Sequence, residues 1–444
     1  MTTIFPSWLA GLRDSAGRAL PAALLAGAIA LGPVPGALAK PLKPKPFDHE
    51  LMPGISFEAR FNLEYIREDN YDLDDTTDDL FQSIEPEGTA RLGFMPDANH
   101  LFALELQLSK VFLIDPPPGE AERDPNLELK RIYFHFYDPA TSTALIVGRH
   151  EYKDEVEWLY DEDLDAVRVH HDEGAWELDV SVFREELFIK NLLDSALADP
   201  IDNAMALIRF NHDARTNTDA YVLARNDRSG SSGAEDVTFF GVQSVGQLSD
   251  PLHYWFNAAY VTGERERTGA DIGGFGIDGM LTYVIATRWE PSISAGFAYG
   301  SGDADTSDGS DGNFRQTDWQ DNQAKLNGLK AIKYYGEVLD PELSNMMILS
   351  LGAGLRPTRN TSIDVLFHAF RLVEADDRIR DTDLNVDPTG LSDDLGQEVD
   401  VLFAWQPMDT VTLGVTGGVF FPGDAFGPGA DNAYLGNVEL TVKF

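Results

Sequence analysis

The sequence contains no cysteine. A chain without thiols builds neither a disulfide framework nor a thiolate metal centre, so an exported protein of this kind finds its stability elsewhere. Basic residues are scarce too: 34 Lys and Arg stand against 74 Asp and Glu, for a net charge of −40. Phosphate backbones need a basic footprint, which excludes nucleic acid as a partner. Beyond the N-terminus, no stretch approaches the ~18 consecutive apolar residues of a membrane-spanning helix. The mature chain is therefore either soluble or a β-barrel.

The N-terminus is set apart from the fold. Arg13 and Arg18 precede an apolar run from Ala22 to Leu31, followed by the small-residue site Ala37-Leu38-Ala39. That order is a secretory signal peptide over residues 1–39, and its apolar run is too short to span a bilayer as a helix. Cleavage after Ala39 leaves a mature domain of residues 40–444.

The mature sequence alternates with period two, the signal of half-exposed strands. In Ile55 to Tyr65 every odd residue is apolar and every even one small or polar. The last segment repeats this, with Val438, Leu440, Val442 and Phe444 on one face and Asn437, Glu439, Thr441 and Lys443 on the other. Connections alternate in length. Short turns fall near Pro96-Asp97, Asp138-Pro139, Asp172-Glu173, Asp213-Ala214, Asp250-Pro251, Glu290-Pro291, Pro357-Thr358 and Pro407-Met408. Long acidic loops lie between them, among them Asp69 to Asp79, Asp115 to Asn126, Gly302 to Asn345 and Asp376 to Asp394. Short periplasmic turns alternating with long external loops predict an all-β fold, a transmembrane antiparallel barrel of about 18 strands in a Gram-negative outer membrane. Its apolar face meets lipid, and a barrel this wide leaves an aqueous channel. Phe94, Phe136, Tyr137, Trp176, Trp255, Trp289, Trp405 and Phe444 sit beside short turns or the C-terminus and predict an aromatic girdle at one rim. Phe444 is also the expected handle for the barrel-assembly machinery, with the bilayer and lipopolysaccharide as surroundings.

Strand parity assigns the lumen. The inward basic set is Arg60, Arg91, Arg131, Arg149, Arg168, Arg209, Arg356 and Lys443, with Arg149 on a strand that is apolar on both faces. The inward acidic set includes Glu58, Glu87, Glu105, Glu177, Asp179, Glu398 and Asp400. Basic rings select anions and acidic rings cations. Charged lumen residues equally serve to keep a wide barrel wet and to tie strands together by ion pairs.

No cofactor or metal is implied. Asp303, Asp305, Asp308 and Asp311 offer oxygen ligands, but a calcium loop needs set spacing and a closing bidentate Glu. His170 and His171 point to opposite faces of one strand. An enzymatic reading would rest on Ser350, His368 and scattered Asp residues. No spacing marks them as a triad, and the pairing of Glu398 with Asp400 follows from strand period alone.

Several segments are similar to the alginate-export family of outer-membrane porins. They are Gly148-Arg-His-Glu-Tyr-Lys-Asp-Glu followed by Trp158 and Asp161-Glu-Asp-Leu-Asp-Ala166; Phe314-Arg-Gln-Thr317; Tyr335-Gly-Glu337 with Glu342-Leu-Ser-Asn345; His368 to Arg371; Asp394 to Asp400; and Pro422 to Asp431. The resemblance implies an 18-stranded channel that passes an anionic uronate polysaccharide, alginate or another, through an arginine-rich constriction by passive diffusion. There are departures. Gly414 and Thr416 stand where exporters of this family carry two lumen arginines, and Asp340 where they carry a third. The turn Gln406 to Thr410 is short, so the family's periplasmic plug is expected to be missing and the pore more open. These departures favour the alternative, a general or nutrient-uptake porin for small solutes.

Overall fold

The computed structural model describes residues 42–114, 123–194, 200–231 and 233–444. The predicted signal peptide and its cleavage point lie outside the described residues, as does most of the loop from Asp115 to Asn126. Eighteen wall strands follow one another: β1 Ile55–Asp69, β2 Phe81–Asp97, β3 His100–Ser109, β4 Asn126–Asp138, β5 Thr143–Lys153, β6 Asp161–Glu173, β7 Trp176–Arg184, β8 Ile201–Asp213, β9 Thr216–Asp227, β10 Glu235–Ser249, β11 Leu252–Arg265, β12 Ala270–Val284, β13 Ser292–Gly300, β14 Met346–Thr358, β15 Thr361–Leu372, β16 Asp394–Met408, β17 Val411–Pro422 and β18 Ala433–Lys443. Each pairs antiparallel with its neighbours, and β1 closes on β18 from Arg60↔Lys443 to Asp69↔Tyr434. A closed sheet has no unpaired edge, the condition for crossing hydrocarbon with strands.

The alternation in the sequence becomes the two faces of this wall. Leu92, Phe94, Phe102, Val180, Val182, Leu281, Ile293 and Leu351 face outward and are exposed. Short connections gather at one end, where Asp97, Asp138, Asp172 and Asp213 each accept a backbone N–H two residues on at 2.7–3.0 Å. Asp favours such turns because its carboxylate replaces a backbone acceptor. The aromatic rim forms around Phe94, Trp176, Trp289, Trp405 and Phe444, all 44–59% exposed. Tyr137 and Trp255 are corrections. Both face inward and are buried, and Trp255 donates from Nε1 to Asp278 at 2.8 Å.

The long loops overturn a second expectation. Residues 302–345, read as an external loop, fold into the barrel. Phe314, Trp319, Tyr334, Tyr335, Val338, Leu339 and Leu343 are buried in one apolar cluster with the inward residues Trp255, Met280, Ile348, Phe370 and Phe420. Residues 154–160 enter as well, burying Val156, Trp158 and Leu159. Tyr334 donates its hydroxyl to the Val156 carbonyl at 2.9 Å, and Gln316 bonds the Trp158 carbonyl at 3.0 Å. The lumen is thus partly filled by its own loops, and the plain aqueous channel expected from strand number is corrected to a channel with an internal packed core.

Candidate functional site

Most of the predicted lumen charges are matched within the wall. Arg91 bonds Glu105 at 2.8 Å and Glu58 at 3.3 Å, Arg168 bonds Asp179 at 2.7 Å, and Arg209 holds Asp219 with two bonds of 2.7–2.8 Å. Glu177 accepts from Asn211 at 2.8 Å. These pairs tie adjacent strands and leave little field in the pore. Arg60 and Lys443 lie opposite each other at the closing rung, and Arg60 Nε has no hydrogen-bond partner. Glu87 bonds Thr89 on its own strand. Arg356 sits near the periplasmic end, its Nη1 3.8 Å from Glu290.

Arg149 and Arg131 are corrections. Arg149 shares strand parity with the exposed Val147, so it lies on the outer side of the wall, yet it is fully buried. It bonds Asp165 at 2.7–2.9 Å and the carbonyls of Leu129 and Phe188. Arg131 spans the gap between strands: Glu105 lies 3.6 Å away on the lumen side, while Glu151 at 2.7 Å and Asp163 share the outward register of Val147 and Val167. Sequence parity failed here because the β3–β4 register shifts between Glu105 and Leu106, and because β5 separates from β4 above the Ile132↔Arg149 rung.

The inserted loop 302–345 is held by the wall's buried acids. Glu398 accepts the Val338 and Leu339 amides at 2.7 and 3.0 Å, and Ser362 accepts the Leu329 amide at 2.9 Å. Asn327 reaches the Glu290 carbonyl at 2.8 Å, in the periplasmic turn after β12. Residues 42–48 lie at the same end, where His135 meets the Leu42 carbonyl at 3.1 Å and the Phe47 amide bonds Ser56. Chain therefore stands at the periplasmic mouth, against the expectation of a more open pore. The sequence departures acquire a physical reading too. Lys330 pairs with Glu439 and crosses Gly414, where a Cβ would lie 2.8 Å from Lys330 Cδ. A cation arrives from the loop at a place where the wall has only a glycine. Asp340 pairs with Lys333.

Ser350, His368 and Asp400 do come together: Ser350 Oγ lies 2.9 Å from His368 Nδ1, and His368 Nε2 lies 3.4 Å from Asp400. All three are buried, and the Val338 and Leu339 amides of the loop are bonded to Glu398, the residue that pairs with His368 across the wall. A hydrolytic serine needs an approach path and oxyanion donors; here Ser350 Oγ instead reaches the Tyr334 carbonyl of the loop at 3.5 Å. Glu157, Asp161 and Asp321 form a carboxylate group of metal-binding dimensions, with Lys153 already paired to the first two.

The feature that sequence parity missed lies at the extracellular end. Arg225 of β9, Arg265 of β11, Arg315 of the inserted loop, and Arg378 and Arg380 of the loop after β15 line one cavity of about 530 Å³. Asp227, Glu235 and Asp318 share its walls. Arg265 bonds Asp311 at 2.9 Å and Glu235 at 3.0 Å, Arg315 reaches the same two carboxylates, and Arg225 lies 2.9 Å from Asp318. Arg378 is exposed and makes no salt bridge among the described residues. Glu342 pairs with Arg380, so four of the five guanidiniums are matched by Glu235, Asp311, Asp318 and Glu342, and Arg378 is the basic group left to meet a ligand at the mouth of this cluster. Arg315 belongs to the segment Phe314 to Thr317 that carries the family resemblance, which was the available signal.

Burial raises three loop carboxyls. Glu337 and Glu342 are pushed up, Glu342 against the pull of Arg380. Burial drives Asp340 up to about 7, opposed by Lys333 and reinforced by Asp383. Groups raised in the inserted state stabilise it most below the ordinary carboxylate range of about 4 and lose that contribution as pH rises to about 7. Conductance in planar bilayers should therefore increase between pH 4 and pH 8 as insertion weakens; a flat or falling profile would remove the loop from control of the pore.

A closed antiparallel barrel with an apolar outer wall, an aromatic rim and a polar, loop-filled lumen defines an outer-membrane channel. The chain belongs to the alginate export family, whose model matches residues 55–436. It is 26% identical over 233 residues to the alginate production protein AlgE of Pseudomonas aeruginosa, covering 44% of this chain and 46% of that protein, so the alignment spans less than half of the relative. Its fold is shared with proteins of the same organism: OpdK, solved with vanillate (TM-score 0.59, 8% identity, covering 88% of this chain and 99% of that one), and OccK11 (TM-score 0.56, 12% identity, 91% and 99%).

Proposed function

We propose that the channel passes an anionic polysaccharide of the uronate type, with the extracellular arginine cavity as its recognition point. The single observation that carries this reading is the convergence of Arg225, Arg265, Arg315, Arg378 and Arg380 on one cavity in a chain of net charge −40. Guanidinium forks match carboxylates in geometry and charge, and a low-dielectric vestibule concentrates a polyanion. Family membership and the relative's printed name support the same class of cargo. Arg60, Lys443 and Arg356 would continue the basic path toward the periplasmic end. Arg91, Arg168 and Arg209 contribute less, because their charges are matched.

A second reading, passage of small solutes, is favoured by the loops that occupy the lumen. The two are separated by reversal potentials in planar bilayers. The wild-type channel should prefer anions and be blocked by added polymannuronate, and R225Q/R378Q should lose most of both effects. Cation preference in the wild type, or block that survives the double variant, would sink the polysaccharide reading. Liposome swelling with small neutral sugars at charge-independent rates would then support the second.

A further inference from the structure

The outer wall carries a feature unrelated to the pore. The β4–β5 ladder stops at Ile132↔Arg149, and Gly148 just before it has φ +118°. A Cβ at Gly148 would lie 2.2 Å from the Ile132 carbonyl, so only glycine allows β5 to turn away there. Residues 186–192, from the loop after β7, fold down outside the barrel and take the vacant place beside β4. The Leu129 amide bonds Lys190 O at 2.9 Å, and the Leu192 amide bonds Leu127 O at 2.7 Å. The Arg149–Asp165 pair pins this hook from beneath, with Leu187 N donating to Asp165 at 2.7 Å. Leu187, Phe188 and Leu193 point outward, 58%, 40% and 61% exposed.

Beside the hook lies a groove of about 660 Å³, lined by outward Val147, Val167, Val182, Ala204 and Ala224 and by Phe188. At its rim Asp202 stands between two guanidiniums, 2.9 Å from Arg184 Nε and 3.1 Å from Arg228 Nε. Asp202 meets each guanidinium through a different oxygen, and the trio of two arginines and one carboxylate keeps one positive charge at the water boundary, above an apolar slot.

We propose that this groove binds one lipopolysaccharide molecule, an acyl chain lying along the slot and a lipid A phosphate on Arg184 and Arg228. The slot lies at the end where the long loops leave, hence in the outer leaflet, whose lipid carries both chains and phosphates. Arginine forks suit phosphate oxygens, and the groove's size is that of ordinary ligand sites. A smooth apolar wall would meet lipid chains without ordering one; a walled slot with a cationic rim fixes chain and headgroup together.

The test uses the full mature barrel refolded in detergent and native mass spectrometry with three added lipids: bisphosphorylated lipid A, its dephosphorylated counterpart, and phosphatidylethanolamine. The wild type should retain one lipid A per chain, in preference to the other two. Ala204→Trp fills the slot from the lipid side and should lower retention by about tenfold, with Ala224→Phe as a second filling variant. Ile293→Trp, on a distant outward position, should leave it unchanged, and heat-modified gel mobility reports that each barrel has closed. R184Q/R228Q should abolish the preference for the phosphorylated form. Undiminished retention by both filling variants, equal loss in Ile293→Trp, or phosphatidylethanolamine held as well as lipid A would each overturn the proposal.

Discussion

Excising residues 318–341 and joining Thr317 to Glu342 through a short flexible linker should raise single-channel conductance several-fold while the barrel stays closed. The join is geometrically easy, because the Gln316 amide bonds Glu342 and the Leu343 amide bonds Gln316 Oε1 at 3.0 Å. The wall does not depend on the excised chain: the β13–β14 ladder runs unbroken from Ser292↔Gly354 to Gly300↔Met346. What leaves is the packed interior contributed by Tyr334, Tyr335, Val338 and Leu339. A closed barrel of this strand number without filling conducts as a wide aqueous pore. Planar-bilayer recordings check this, and an unchanged conductance would mean that ions already bypass the loop.

Arg149→Ala should destabilise the folded barrel by about 3–5 kcal/mol, the usual cost of stranding one member of a buried ion pair. Asp165 would remain 1% exposed on the outward side of the wall, with only the Leu187 amide in place of its guanidinium, and a lone charge near hydrocarbon is expensive. Urea unfolding in micelles measures the loss. Replacing both partners with leucine should recover most of it, since well-packed apolar pairs substitute for buried ion pairs at little cost. A single variant as stable as the wild type would show that water reaches the pair.

The wall was legible in the sequence because its physics is local. Alternation from Ile55 to Tyr65 and from Val438 to Phe444 fixes which face meets lipid, and Asp-led turns mark the periplasmic end. Parity also placed Arg91, Arg168 and Arg209 inside, though not the carboxylates that match them, since pairing across strands depends on register. Tyr137 and Trp255 show the limit of reading aromatics by proximity to a turn: their neighbours Phe136 and Phe256 take the outward side. The inserted loop left a trace that acidity obscured, for Phe314, Trp319, Tyr334, Tyr335, Val338 and Leu339 are poor residues for a solvated loop. The arginine cavity was the least legible part, being assembled from β9, β11 and two loops far apart in the chain.

Lys330 belongs to the inserted loop, while its partner Glu439 belongs to the wall. Lys333 would leave together with its loop partner Asp340, so withdrawing the loop would strip Lys330 from the wall and uncover Glu439, Asp364, Glu398 and Asp400 behind it. Width and ionic preference are then coupled in one switch. The narrow conformer would favour negative permeants, and the wide one would reverse polarity and favour positive ones, so a shift in reversal potential would report the change of state as directly as a change in current.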